Sequence, residues 1–181
     1  SGMSFELDKV LFPRAAKLAQ LFPRGASVNV HTGTPYESEF IEILRELKSI
    51  EEFDPSKVLI EVTEWGEISS DANHAQLGEI LKLGFRLAVD DIDPRDAFNM
   101  ERVHHINGAA VMHKYSYKTM QQIRSGGDEG QEALASISSL RRVYPKAAIV
   151  MEGVTQKDRK HFPALVDAGV SVVQFYHPVL S

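Results

Sequence analysis

The sequence predicts an α/β fold, an incomplete TIM-like (β/α) barrel of about six strands, on three observations. Short apolar runs alternate with helical patterns of about 10 to 15 residues, which implies βα units and parallel pairing. Each run ends on a polar or ionisable residue: Asn29, Glu61, Asp90, Lys114, Glu152 and Gln174. The residues sharing their parity are small to medium, among them Ser27, Leu59, Ala88, Ala110 and Val150, whereas the other parity holds Val28, Ile60, Leu87, Val111 and Ile149. One set suits a narrow interior and the other a helix-covered face, with functional groups at the carboxyl ends of the strands. A doubly wound parallel sheet is the alternative.

The elements follow in order. Residues 5–22 read as helix, with Val10, Leu11, Leu18 and Leu21 among its apolar positions; Pro13 is expected to kink or split it and Pro23 to stop it. Residues 27–31 form a strand. Thr34-Pro35-Tyr36-Glu37 offers a cap, a proline at N1 and a glutamate at N3, and so predicts a helix start. That helix carries Phe40, Ile41, Leu44 and Leu47 on one stripe. Val58–Thr63 is the second strand, followed by a helix from about Asp71 to Leu83 with Gly84 at C′. Phe85–Asp91 is the third strand, residues 95–105 a short helix, and Ala109–Lys114 the fourth strand. A helical region over 117–143 is broken at Ser125-Gly126-Gly127. Ala148–Glu152 is the fifth strand, Thr155 caps a helix that ends at Gly169, and Ser171–Phe175 is the sixth strand.

The chain has 181 residues, 43% hydrophobic and 25% charged, which fits one soluble domain over 3–181. Ser1 and Gly2, ahead of Met3, read as a remnant of tag removal. The net charge is -5 and no Lys/Arg run stands out, which argues against direct binding to nucleic acid. There is no cysteine, so disulfides and zinc ribbons are excluded and a reducing cytoplasm is the expected location. No run of about 18 apolar residues predicts a membrane span.

Asp90 and Asp91 close the third apolar run. Two adjacent carboxylates there are costly unless a cation or firm hydrogen bonds hold them. Strand neighbours point to opposite faces, so both reach one site only if the backbone leaves β geometry at Asp91. For an isolated pair the plainer reading is a helix N-cap followed by a solvated acid. Several carboxylates and an amide around one ring of strand ends make an oxygen-rich pocket suited to Mg²⁺, Mn²⁺ or Ca²⁺, and two such cations suit phosphodiester hydrolysis. Ion pairs of Lys114 with Glu152 or Asp90, closing the site without metal, are the competing reading.

IEVTE at 60–64, the Asp90-Asp91 pair, Lys114, MEGV at 151–154 and Gln174 together resemble the EAL domain family, in order and at natural spacing from about Ser27 to Ser181. Active members of that family hydrolyse cyclic di-GMP with Mg²⁺ or Mn²⁺. The resemblance implies that Asn29, Glu61, Asp90 and Asp91 bind metal, that Lys114 lies near the attacking water and Glu152 serves as the acid of the fifth strand. It also implies that Glu64 steadies the loop after Asp91 and that Gln174 contacts substrate.

Departures from the family pattern are equally specific. The EAL signature that the family carries on an early strand has no counterpart here, and the first one or two strands of the family barrel are absent. The loop after Asp91 reads IDPRDAF in place of a glycine-rich FGTG, Thr155 stands where an acid is expected, Ser116 replaces an aspartate and Phe175 a glycine. Loss of a hard ligand lowers metal affinity, and loss of positioning lowers turnover further. The expectation is therefore a degenerate EAL domain in cyclic di-GMP signalling that acts through a protein partner or residual nucleotide binding without turnover. The alternative is an active Mg/Mn-dependent phosphodiesterase releasing linear pGpG. An unrelated aldolase with Lys114 as Schiff-base amine would need a dry pocket, which the neighbouring acids oppose.

Two other features carry no function on this reading. The stretch SGGDEG at 125–130 resembles the GGDEF signature but lies at a helix break, and His104, His105 and His113 lack metal-ligand spacing and read as surface and packing residues. A six-stranded arc also leaves two sheet edges with unpaired backbone groups, which predicts a homo-oligomer or a protein partner.

Overall fold

A computed structural model describes residues 2–31, 33–63, 73–95 and 110–175. Its chain divides into two compact units, one formed by Ser1–Val89 with His105–Ala110 and the other by Asp90–His104 with Val111–Ser181.

The first unit opens with α1 (Gly2–Ala19). This helix runs through Pro13 without ending there and stops at Ala19, ahead of Pro23, in a short turn over residues 20–25. Strands β1 (Ala26–His31), β2 (Val58–Thr63) and the first part of β3 (Arg86–Ile92) lie side by side. Their pairing is parallel, with Asn29 beside Glu61 and Glu61 beside Ala88. Between β1 and β2 comes α2 (Ser38–Lys48), whose predicted stripe Phe40, Ile41, Leu44 and Leu47 is buried. Phe12 of α1 meets Phe40 edge-on, with ring centroids 4.9 Å apart.

Thr34 does not cap α2. It begins a single 3-10 turn over Thr34–Tyr36, and Glu37, in extended conformation, is the N-cap. The Thr34 hydroxyl instead donates to the Asp8 carboxylate, which also accepts from the His31 backbone N–H. The cap is thus given to a tertiary contact between α1 and the end of β1. Helix α3 (Asn73–Lys82) ends as expected on Gly84, whose φ of +97° suits a residue without Cβ.

In the second unit the end of β3 continues into β4 (Ala110–Tyr115), β5 (Ala148–Val154) and β6 (Val172–Phe175). The described β4–β5 and β5–β6 pairs are parallel. Helices α4 (Tyr117–Ser125) and α5 (Gly127–Val143) are separate, and the break falls at Gly126 with φ +71°. Thr155 caps a 3-10 segment, Gln156–His161, before α6 (Phe162–Ala168). Tyr115, Met120, Ile137, Ile149, Met151 and Val154 are buried in this unit.

The bulky parity is covered at Ile60, Val62, Leu87, Val89 and Ile149, yet Val111 is 40% exposed, against the expectation of a helix-covered face. The predicted helix over 95–105 and His104 and His105 lie outside the described residues. No described helix is long and apolar enough to cross a membrane.

Candidate functional site

The second unit gathers four of the residues singled out in the sequence. The carboxylates of Asp90, Asp91 and Glu152 bring oxygens within 4.8 Å of one another. Lys114 Nζ stands 3.0 Å from Asp90 Oδ1 and 2.8 Å from Glu152 Oε1. Asp90 and Lys114 are buried, Glu152 is half-buried and Asp91 is exposed.

Local backbone geometry produces this convergence. Asp91 has φ +52°, the left-handed region that aspartate tolerates better than most residues. Its own N–H donates to Asp90 Oδ1 at 2.9 Å. The departure from β geometry that the adjacent carboxylates require is thus present at the predicted residue.

A second irregularity lies beside Glu152. The β5–β6 register shifts between Met151 and Val154, and Gly153 adopts φ +65°. A Cβ on Gly153 would lie 2.3 Å from Tyr117 Cδ2, so only glycine fits against that ring. Asp91 and Glu152 thus sit within their strands at points where the backbone departs from regular β geometry, a device that re-aims side chains.

A clamp fixes the chain just beyond. Arg124 donates from Nε and Nη2 to the two Asp158 oxygens, each at 2.7 Å, and from Nη2 to the Gly153 carbonyl at 2.7 Å. Asp158 also accepts from the Thr155 N–H and hydroxyl in a reciprocal capping box. The Arg124 guanidinium, with the Thr155 bonds, holds the Asp158 carboxyl well below the usual range, although burial opposes it. Thr155 is thereby spent on the cap. The sequence signal for this clamp, a Thr-x-x-Asp spacing, was present but pointed only to a helix start.

Burial raises the Glu152 pKa above that of an ordinary glutamate. The Lys114 ammonium lowers it, while the charges of Asp90 and Asp91 push it up again. Three carboxylates facing one ammonium leave an excess of negative charge that favours a further cation or a shared proton.

The remaining predicted residues are placed differently. Asn29, exposed, and Glu61, buried, are neighbours in the β1–β2 register of the first unit. Gln174 lies exposed on β6. Glu64 lies outside the described residues. Ser116 is buried at the N-cap of α4, and its hydroxyl has no hydrogen-bond partner among the described residues. The tripeptide Glu132-Ala133-Leu134 spells the family signature but sits inside α5, with Ala133 buried and Glu132 exposed, away from any strand end.

The donor set of Asp90, Asp91 and Glu152 fits a hard, oxygen-seeking divalent ion such as Mg²⁺ or Mn²⁺. Lys114 already pairs with two of the three, so the cluster also reads as an ion-pair network.

No family model matches the chain, and no curated protein matches it. Solved structures do. The EAL domain of FimX from Xanthomonas citri, solved in complex with c-diGMP, is 16% identical with a TM-score of 0.72, and the match covers 96% of this chain and 68% of that one. An EAL domain protein from Listeria monocytogenes is 18% identical, with a TM-score of 0.72 and coverage of 97% and 73%. The EAL domain of DcpA from Mycobacterium smegmatis is 15% identical, with a TM-score of 0.74 and coverage of 95% and 78%. The chain thus spans roughly two thirds to three quarters of these proteins and shares that part of their fold, an incomplete TIM-like (β/α) barrel of the EAL type with six strands among the described residues.

Proposed function

We propose that this EAL-fold chain is a degenerate EAL domain of cyclic di-GMP signalling, which binds the nucleotide or a protein partner without turning the nucleotide over. The observation that carries the reading is the Asp90–Asp91–Glu152 cluster closed by Lys114 in a fold whose neighbour from Xanthomonas citri is solved in complex with c-diGMP. Three departures from the family pattern support loss of turnover. Thr155 is bound up in its cap with Asp158, Ser116 supplies only a hydroxyl, and Pro94 follows Asp93 where the family has flexible glycines.

In this reading Asp90, Asp91 and Glu152 hold a Mg²⁺ or Mn²⁺ ion, and Asn29 and Glu61 are assigned the metal-binding role that the resemblance gives them. A bound hard cation supplies charge stabilisation to a phosphodiester and acidifies a bound water. Lys114 holds Asp90 and Glu152 in two ion pairs that compete with the ion for their oxygens, and Gln174 serves the nucleotide. Glu64 is assigned to steady the loop after Asp91.

The second reading, an active phosphodiesterase, draws on the same cluster, because Lys114 and Glu152 are within 2.8 Å and fit a water-activating pair. Calorimetry of cyclic di-GMP binding, run beside chromatographic detection of linear pGpG with Mn²⁺, separates the two. Binding without product supports the proposal. Product formation abolished by Glu61→Ala establishes the enzyme, and neither binding nor product leaves the nucleotide out of the function.

A further inference from the structure

Helix α1 is apolar on two opposite sides. Phe12, Ala16 and Ala19 are buried, packing the helix on its own unit. Leu7, Val10, Leu11 and Leu18 follow the i, i+3, i+4, i+11 spacing of a single stripe on the other side. Leu21 and Phe22 come next, in the turn beyond the helix. These six side chains are 49% to 77% exposed, and they are six of the fourteen exposed large hydrophobic residues among the described residues. Single exposed hydrophobics need no explanation, but a contiguous stripe does. A helix with apolar residues all round belongs in an interior.

We infer that this stripe is a self-association surface, on which a second copy of the chain packs its own α1 antiparallel about a two-fold axis. Area is the first reason. Six side chains at these exposures offer about 600 Å² per copy, which flanking side-chain stems bring close to the roughly 800 Å² per partner of an ordinary stable interface.

Charge selects the second copy and its direction. Exposed Glu6 lies towards the start of the helix, and exposed Arg14 and Lys17 lie towards its end. Glu6 and Lys17 fall on the same flank of the stripe, about 20° apart in helical projection. In an antiparallel pair like flanks meet, so Glu6 of each copy approaches Lys17 of the other, twice per dimer. A parallel pair would bring unlike flanks together and keep Glu6 of one copy about 16 Å along the axis from Lys17 of the other. Antiparallel packing also sets Leu7 across from Leu18 of the second copy and leaves Arg14 near the axis.

Sedimentation equilibrium of the full chain from about 1 to 200 µM tests the inference. Dimerisation with a micromolar Kd is expected, weakened at least about 100-fold in Leu11→Glu/Leu18→Glu with unchanged far-UV circular dichroism. The chain lacks cysteine, which allows a second test that does not depend on that variant folding. Arg14→Cys should oxidise to a covalent dimer. Leu7→Cys should not, because its mate lies about 16 Å away along the paired helices, beyond the roughly 7 Å Cα–Cα reach of a disulfide. A monomer at every concentration, a dimer untouched by the glutamates, or cross-linking of both cysteine variants overturns the inference. So does a monomer that floats with phosphatidylglycerol vesicles, which would assign the stripe to a lipid surface.

Discussion

Acidification should destabilise this protein through His113. The side chain is 1% exposed, and neither ring nitrogen has a hydrogen-bond partner among the described residues. Its ring lies 5.2 Å from that of Tyr144. Burial lowers its pKa from 6.5 to about 4. A histidine whose folded pKa is depressed takes up its proton more readily in the unfolded chain. The native state therefore keeps its full stability above pH 6.5, loses it as pH falls from there towards 4, and loses no more below that. At pH 4.5 those two values give a loss of about 2.5 kcal/mol from this one side chain. Urea unfolding at pH 7.5 and 4.5 of the parent and of His113→Met, which is apolar and of similar volume, isolates the contribution. The variant should be within about 1 kcal/mol of the parent at pH 7.5 and gain about 2.5 kcal/mol on it by pH 4.5. Parallel stability curves for the two proteins would refute the reasoning, because they would mean that His113 is not held neutral by burial.

Arg124→Ala should leave the buried Asp158 carboxylate without its guanidinium and cost about 3 kcal/mol at pH 7. Because the folded pKa of Asp158 is depressed, the pair's contribution is fully present above the unfolded value of about 4 and is lost progressively as pH falls towards the lower folded value, so the gap between parent and variant should narrow steadily below pH 4 in urea titrations. Asp91→Gly relieves the left-handed backbone and should raise stability by up to about 1 kcal/mol while weakening Mn²⁺ binding at least about 10-fold by calorimetry. Unchanged metal affinity would remove Asp91 from the site. Lys114→Met takes the ammonium away from Asp90 and Glu152, and Mn²⁺ should then bind more tightly by about 10-fold. Weaker binding would show that Lys114 orders the acids rather than competing with the ion.

The sequence by itself determined the order of the described strands and helices, most of their boundaries to within two residues, the break at Gly126 and the acids near the ends of β3 and β5. Those features are local, written in hydrophobic periodicity, in glycine positions and in the alternation of small and bulky residues along each strand. It misplaced Thr34, since a cap spacing is silent about the distant Asp8 that takes the hydroxyl. It took Thr155 for a simple cap, although the same residue joins the Arg124–Asp158 clamp beneath Glu152. Only the tertiary structure decided that Lys114 bridges Asp90 and Glu152 and that α1 keeps an apolar face in solvent. The reason is the range of the interactions. Periodicity records what neighbours along the chain prefer, whereas three carboxylates converge because one aspartate turns left-handed and one strand bulges at a glycine, under constraints set by residues far away in sequence.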